Sequence, residues 1–130
     1  MRVLFVEDDA MNRRVVRDML SVAGVEMTEA EDAQAGLTLV DNQVFDLILM
    51  DLRMPGIDGL TAIRQIRARG DDAARTPIIV VTADTGSDIQ AQCLAAGAND
   101  FLRKPVAMTL LFDTMGRVLA RNDPAAALLA

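Results

Sequence analysis

Short apolar runs alternate with segments of helical periodicity along the whole chain. Three of the runs, at residues 3–6, 45–50 and 78–81, are almost entirely apolar, as strands covered on both faces should be. Two weaker runs at residues 25–28 and 100–102 complete a set of five. Because a helical pattern follows each run, the sequence predicts five strand–helix pairs and a parallel sheet wound with helices on both faces.

The predicted helices carry apolar residues three or four positions apart. In the first helix these residues are Met11, Val15, Val16, Met19 and Leu20. The stripe of the fifth helix, which we expect to face the core, consists of Met108, Leu111, Phe112, Met115, Val118 and Leu119. A length of 130 residues suits one domain, which we place at residues 1–121, followed by a flexible C-terminal tail at residues 122–130.

The composition narrows the possible chemistry. Lys and Arg number 13 against 19 Asp and Glu, a net charge of −6, so direct binding to nucleic acid is not expected. The absence of histidine excludes histidine-dependent catalytic relays and imidazole metal sites. A single cysteine, Cys93, fits a reducing cytoplasm, and no apolar run approaches the roughly 18 residues of a membrane span. We expect a cytoplasmic protein without membrane insertion.

Polar residues follow four of the five predicted strands. Glu7 and Asp8 follow the first strand, Asp51 the third, Thr82 the fourth and Lys104 the fifth. In the strand order 2-1-3-4-5, the carboxyl ends of these four strands are neighbours. Ligands of open α/β sheets bind at that edge. We therefore expect the five side chains to converge on one site.

Gathering three carboxylates needs a physical reason, because two of them about 4 Å apart repel by roughly 4 kcal/mol at an effective dielectric constant of 20. A Mg²⁺ ion supplies that reason, since it prefers oxygen ligands and is held by one or two carboxylates plus a phosphate. Together with Lys104, the ion would balance the charge of the three acids. A carboxylate is then the candidate nucleophile for a phosphoryl group, and Asp51 ends the most apolar central strand.

Four short motifs give the chain a family resemblance. Residues 51–59 read D-L-R-M-P-G-I-D-G, and the acidic pair Glu7–Asp8 precedes them. Residues 81–83 read V-T-A and residues 102–105 read L-R-K-P. With these motifs the chain resembles a response-regulator receiver domain of two-component signalling, in the CheY-like superfamily and of the single-domain type. The resemblance implies a flavodoxin-like (βα)5 fold with the strand order 2-1-3-4-5.

The resemblance also implies roles for the site residues. Asp51 would accept a phosphoryl group from the phosphohistidine of a histidine kinase or a histidine phosphotransfer protein. Thr82 would hydrogen-bond one phosphoryl oxygen, and Lys104 would neutralise another. The groups that would hold Mg²⁺ are Glu7, Asp8, Asp51 and the backbone carbonyl of Arg53. The Lys104–Pro105 peptide bond would be cis.

A switch is part of what the resemblance implies. Thr82 would move toward the phosphoryl group, and Phe101 would rotate inward. These movements would alter the face of the fourth helix, fifth strand and fifth helix, and with it the binding of a downstream protein. Arg53 and Asp84 stand at the two positions that tune phosphorylated lifetime in this family. We predict that they form an ion pair across the pocket mouth and lengthen that lifetime.

Alternative functions stay open at this point. The chain is either a stand-alone receiver or a receiver domain excised from a hybrid histidine kinase or a longer response regulator. A phosphohydrolase with an aspartyl-phosphate intermediate typically carries a second acid two residues after the nucleophile, and Arg53 occupies that position. We therefore expect a phosphoacceptor switch that catalyses its own phosphorylation and slow dephosphorylation, and not a turnover enzyme acting on an external substrate.

Overall fold

The computed structural model describes residues 1–84 and 86–122. The strands of this part are β1 (Arg2–Val6), β2 (Glu26–Ala30), β3 (Leu47–Asp51), β4 (Ile78–Thr82) and β5 (Asp100–Arg103). The α-helices are α1 (Ala10–Val22), α2 (Ala33–Asn42), α3 (Gly59–Arg67), α4 (Ile89–Ala96) and α5 (Met108–Asn122). A short 3₁₀ helix at Asp72–Arg75 lies between α3 and β4. Within the described ranges, no helix has both the length and the apolar character that crossing a membrane requires.

The strands form one parallel sheet in the order β2-β1-β3-β4-β5, which confirms the predicted fold. The register pairs Val6 with Met50, and Asp51 with Val81. Thr82 in turn pairs with Arg103. The carboxyl ends of β1, β3, β4 and β5 therefore lie together along one edge of the sheet.

Alternate residues of the strands point into two separate cores, as the period of two requires. On one side, Leu4 and Val6 of β1 pack with residues of α2, α3 and α4, among them Ile63. On the other side, Val3 and Phe5 pack with residues of α1 and α5. The strands β3 and β4 are buried along their whole length, which explains why their sequences are continuously apolar.

The predicted core-facing stripe of α5 is wrong at its first residue, Met108, and the apolar residues of α1 are only partly buried. Val16 and Leu20 of α1 are buried, but Met11 is 65% exposed and Val15 is 42% exposed. Successive residues of a helix are rotated by about 100°, so Val15 and Val16 cannot both point at the centre of the core. Met108, at the start of α5, is likewise exposed. Each helix buries a narrower face than its run of apolar residues indicates.

The element boundaries differ from the predicted ones by one or two residues. Strand β2 extends to Ala30 rather than to residue 28, and β3 begins after Phe45, which is buried outside the strand. The predicted tail begins at Asn122, which is the last residue of α5, and its remaining residues, 123–130, lie outside the described part of the chain.

Aspartate side chains fix the starts of three helices. Asp9 Oδ1 accepts a hydrogen bond of 2.8 Å from the backbone N–H of Met11 at the start of α1. Asp32 caps α2 in the same way, and Asp58 caps α3 by accepting from Thr61 N–H at 2.8 Å. The bond from Thr61 lowers the pKa of Asp58. Each cap satisfies N–H groups that the helix itself leaves free.

Arg67, near the end of α3, joins several segments through backbone carbonyls. Its Nε donates to the carbonyl of Gly97, at the end of α4, at 2.8 Å. Its Nη1 donates to the carbonyls of Thr76 and Ala74 at 2.7 and 3.0 Å. Its Nη2 donates to Asn99 Oδ1 at 2.8 Å. Burial lowers the pKa of Arg67. One side chain thus fastens α3 to the C-terminal end of α4 and to the segment before β4.

Gly59 allows α3 to start directly against the end of β3. A Cβ atom at this position would lie 2.2 Å from the carbonyl oxygen of Asp51 and 2.8 Å from the Cα of Leu52. Both of these are backbone atoms, so the chain itself would have to shift. The close approach also allows the N–H of Gly59 to donate to the Leu52 carbonyl at 3.0 Å.

We therefore predict that Gly59→Ala lowers the free energy of unfolding by about 1–3 kcal/mol, as overpacking does. The matched control is Gly116→Ala in α5, where a Cβ atom meets nothing within 4 Å. That substitution should raise stability by about 0.5–1 kcal/mol, because alanine is the better helix former. Urea unfolding measures both changes. Equal stability of the two variants would contradict the prediction.

Candidate functional site

The structure brings the predicted site residues together at the carboxyl edge of the sheet. Asp51 and Thr82 are the last residues of β3 and β4, while Glu7 and Lys104 directly follow β1 and β5. Together with Asp8 they line a cavity of about 230 Å³. Two larger cavities, of about 480 and 640 Å³, lack such a cluster of acids around a lysine. The convergence expected from the strand order is therefore present.

Three carboxylates form the acidic part of the site. One oxygen from each of Glu7, Asp8 and Asp51 lies within 4.8 Å of the others. Glu7 is fully buried and Asp51 is 4% exposed, while Asp8 is exposed. Burial removes the screening that water provides, so the mutual repulsion of these charges is strong unless positive charge lies close by.

Lys104, directly after β5, supplies positive charge to the site. Its Nζ lies 2.6 Å from Glu7 Oε1 and 3.4 Å from Asp51 Oδ2. Burial alone would lower the pKa of Lys104, but the hydrogen bond to Glu7 and the charges of both acids raise it overall. The lysine therefore stays protonated between the two buried acids. The Lys104–Pro105 peptide bond is cis, as the resemblance implies.

Glu7 has one oxygen with two donors and one oxygen with none. Oε1 accepts from Lys104 and, at 2.9 Å, from Asn12 Nδ2. Oε2 is buried and has no hydrogen-bond partner within the described chain. Burial raises the pKa of Glu7, as does the neighbouring Asp51, and Lys104 does not offset these effects.

Two residues of α1 that contact Glu7 were not predicted from the sequence. Asn12 donates to its side chain, and Arg13 Nη1 donates to its backbone carbonyl at 2.7 Å. The sequence feature that could have indicated these contacts is Asp9, the aspartate that caps α1. This residue starts α1 immediately after the acidic pair and so places the first helical turn beside Glu7.

The donor set fits a hard divalent cation. Three carboxylates that share a cavity, one of them with a buried oxygen lacking a partner, match the oxygen ligands that Mg²⁺ prefers. The residues that would hold the ion are Glu7, Asp8 and Asp51. Arg53 lines the same cavity, and the ligand role of its backbone carbonyl stays a prediction.

The segment after β4 is held from two sides. Arg53 Nη2 donates to Asp84 Oδ2 at 2.6 Å, so the predicted ion pair is present in the structure. This contact lowers the pKa of Asp84 and raises that of Arg53. From β5, Arg103 Nη1 donates to the Asp84 backbone carbonyl at 3.2 Å. Thr82 Oγ1 accepts from the Asp84 N–H at 3.0 Å, which ties the buried threonine to the same segment.

Phe101 lies on β5 at the border of the core. It is half-buried and packs against the core on the α2, α3 and α4 side of the sheet. The guanidinium carbon of Arg103 lies 5.4 Å from the centroid of its ring, within the range of a cation–π contact. Arg103 thus touches both Phe101 and the segment after β4. The inward rotation of Phe101 stays a prediction.

Comparison with known protein families decides the identity. A family model described as the response regulator receiver domain matches residues 3–115. The chain belongs to the response regulator receiver family. This confirms the resemblance drawn from the four motifs.

Similar proteins include both longer regulators and separate receiver domains. The response regulator MprA of Mycobacterium sp. (strain KMS) is 38% identical over 123 residues, which cover 95% of this chain and 52% of MprA. The chain thus spans about half the length of the curated relatives it matches. CheY4 of Vibrio cholerae, a chemotaxis protein, is 31% identical with a TM-score of 0.84, and the match covers 90% of this chain and 97% of CheY4.

A third similar structure bears on the metal. The receiver domain of the sensor histidine kinase PA1611 of Pseudomonas aeruginosa PAO1 is 36% identical, with a TM-score of 0.83. The match covers 91% of this receiver domain and 96% of that one. The PA1611 structure is described with a magnesium ion coordinated in its active site cleft. The acidic cluster of this receiver domain could bind the same kind of ion.

We predict that Asp8→Asn raises the melting temperature in the presence of a chelator by about 3 °C, because it removes one of three mutually repelling charges. Adding Mg²⁺ should stabilise the wild type more than the variant, since the ion binds the native state, and so narrow the difference. Asp18→Asn, at an exposed position of α1, is the matched control and should show neither effect. Calorimetry with and without Mg²⁺ tests this. A wild type that melts highest without metal would contradict the prediction.

Proposed function

We propose that this receiver domain accepts a phosphoryl group on Asp51 from the phosphohistidine of a histidine kinase or a histidine phosphotransfer protein. The observation that carries the proposal is the position of the Asp51 carboxylate, which is almost completely buried, 3.4 Å from Lys104 and beside two further acids. The chain has no histidine that could accept the phosphoryl group instead. In this proposal the Asp51 carboxylate is the nucleophile.

The transfer step follows from the residues around Asp51. A carboxylate oxygen of Asp51 attacks phosphorus and forms an acyl phosphate, while the phosphorus–nitrogen bond breaks and its electron pair returns to the imidazole of the donor. Lys104 neutralises one phosphoryl oxygen. The Thr82 hydroxyl accepts from Asp84, so its own proton is free to be donated to another oxygen. Glu7, Asp8 and Asp51 would hold a Mg²⁺ ion, which would contribute the remaining positive charge at the phosphoryl group.

The output of the phosphorylated state is a change in protein binding. When Thr82 turns toward the phosphoryl group, it loses its hydrogen bond from Asp84. Asp84 is also bound to Arg103, and Arg103 lies over the ring of Phe101. This chain of contacts supports a switch in which Thr82 and Phe101 alter the face of α4, β5 and α5 presented to a downstream protein.

The domain acts as a phosphoacceptor switch and not as an enzyme with an external substrate. Arg53 occupies the position where a phosphohydrolase would carry its second acid, and its guanidinium pairs with Asp84.

The buried free thiol of Cys93 is consistent with the reducing cytoplasm in which we place the domain. The same chemistry applies to a single-domain regulator, to a longer response regulator and to the receiver domain of a hybrid kinase.

Phosphorylation of Asp51 can be measured directly by intact mass. We expect the wild type to gain one phosphoryl group from acetyl phosphate only when Mg²⁺ is present, and Asp51→Asn to gain none, because the amide is not a nucleophile. Asp113→Asn, at an exposed position of α5, is the control and should behave as the wild type. A gain from a phosphohistidine protein but not from acetyl phosphate would still place the acceptor at Asp51. No gain from either donor would contradict the proposal.

Arg53 and Asp84 set the lifetime of the phosphorylated state in this proposal. Arg53 lines the acidic cavity and pairs with Asp84, and in this proposal the pair restricts the approach of water to the acyl phosphate. We therefore expect Asp84→Ala to shorten the half-life of phosphorylated protein several-fold, measured by mass after the donor is removed. The control is Asp71→Ala, which removes the acid of a separate ion pair with Arg69. An unchanged half-life in Asp84→Ala would show that the pair has no such role.

A further inference from the structure

The donors around Glu7 are distributed unequally over its two oxygens. Lys104 Nζ, at 2.6 Å, and Asn12 Nδ2, at 2.9 Å, both contact Oε1. Oε2 receives no hydrogen bond within the described residues although it is buried. Rotation of the carboxylate would therefore break both bonds to Oε1. The two donors together fix the orientation of Glu7 and leave Oε2 available to another ligand.

The position of Asn12 is itself well determined. It lies in the first turn of α1, whose start is fixed because Asp9 Oδ1 accepts from the backbone N–H groups of Met11 and Asn12. The next residue, Arg13, donates to the backbone carbonyl of Glu7 and lies 3.5 Å from Glu29 of β2. The first turn of α1 therefore holds Glu7 by both its side chain and its main chain.

Lys104 cannot hold Glu7 alone throughout phosphorylation. It already divides its charge between Glu7 and Asp51, and in the proposed function it must also neutralise a phosphoryl oxygen. As its ammonium group turns to that oxygen, the bond to Glu7 Oε1 weakens. The Asn12 side chain makes no hydrogen bond to Asp51 within the described residues, so its bond to Glu7 can remain. A buried carboxylate that lost every donor would pay a large desolvation cost.

We propose that Asn12 is a positioning residue for the metal and phosphoryl site. It holds the Glu7 carboxylate with Oε2 free for the cation or a water bound to it, and it remains the donor to Oε1 when Lys104 turns to the phosphoryl group. This inference rests on the proposed function, because it needs a cation at the three acids. The site would then include one neutral amide from α1 in addition to the side chains at the carboxyl ends of the strands.

Isothermal titration with Mg²⁺ alone tests the role of Asn12 without any phosphotransfer. We expect Asn12→Ala to weaken Mg²⁺ binding about 10-fold, the size of effect typical for residues that orient a metal ligand. The matched control is Asn42→Ala, which removes an amide that donates to the Thr38 carbonyl in α2 at 2.8 Å. The control should bind Mg²⁺ as the wild type does. The rate of phosphorylation by acetyl phosphate at fixed Mg²⁺ should fall in Asn12→Ala only.

A double-mutant cycle separates positioning from a general structural effect. In a Glu7→Gln background, Asn12→Ala should change Mg²⁺ affinity less than about twofold, because the carboxylate it orients is gone. An equal loss in both backgrounds would show that Asn12 acts through the fold instead. A Mg²⁺ affinity of Asn12→Ala equal to that of the wild type would overturn the inference and leave the proposed function standing. A wild type that binds no Mg²⁺ would overturn both.

Discussion

A fully buried carboxylate, that of Glu7, is the constraint on which the site depends. Its charge is paired with that of Lys104, 97 residues later in the chain, and Asn12 on the first helix donates a hydrogen bond to the same oxygen. The lysine reaches it only because the parallel order brings the ends of β1 and β5 to one edge, with β3 and β4 between them. Assembly of the strands in the correct order therefore also brings the neutralising lysine to the buried acid. A chain with the wrong strand order would leave buried acids without a cation.

The electrostatic contacts of the pocket extend beyond the acids. Asp84 is contacted by Arg53 from the loop after β3 and by Arg103 from β5, and Thr82 is bound to its backbone. Arg103 lies in turn against Phe101. In the proposed switch, a phosphoryl group on Asp51 would act on β5 through these polar contacts.

The strands, and the site residues at their carboxyl ends, could be predicted from the sequence. Carboxyl ends of parallel strands share an edge, so Asp51, Thr82 and Lys104 could be placed without coordinates. The role of Asn12 could not be predicted, because it depends on the direction of one side chain in the first turn of α1.

The contacts of Arg67 give α4 two unequal ends. At the C-terminal end, the Gly97 carbonyl is bound to Arg67, and a Cβ atom on Gly97 would lie only 2.6 Å from that side chain. At the N-terminal end, near the pocket, Asp88 makes no capping hydrogen bond through its side chain in the described structure. Among the described residues, a side chain therefore anchors the C-terminal end of α4, while its N-terminal end lacks a side-chain cap. The end of α4 closer to the site is thus the less constrained one.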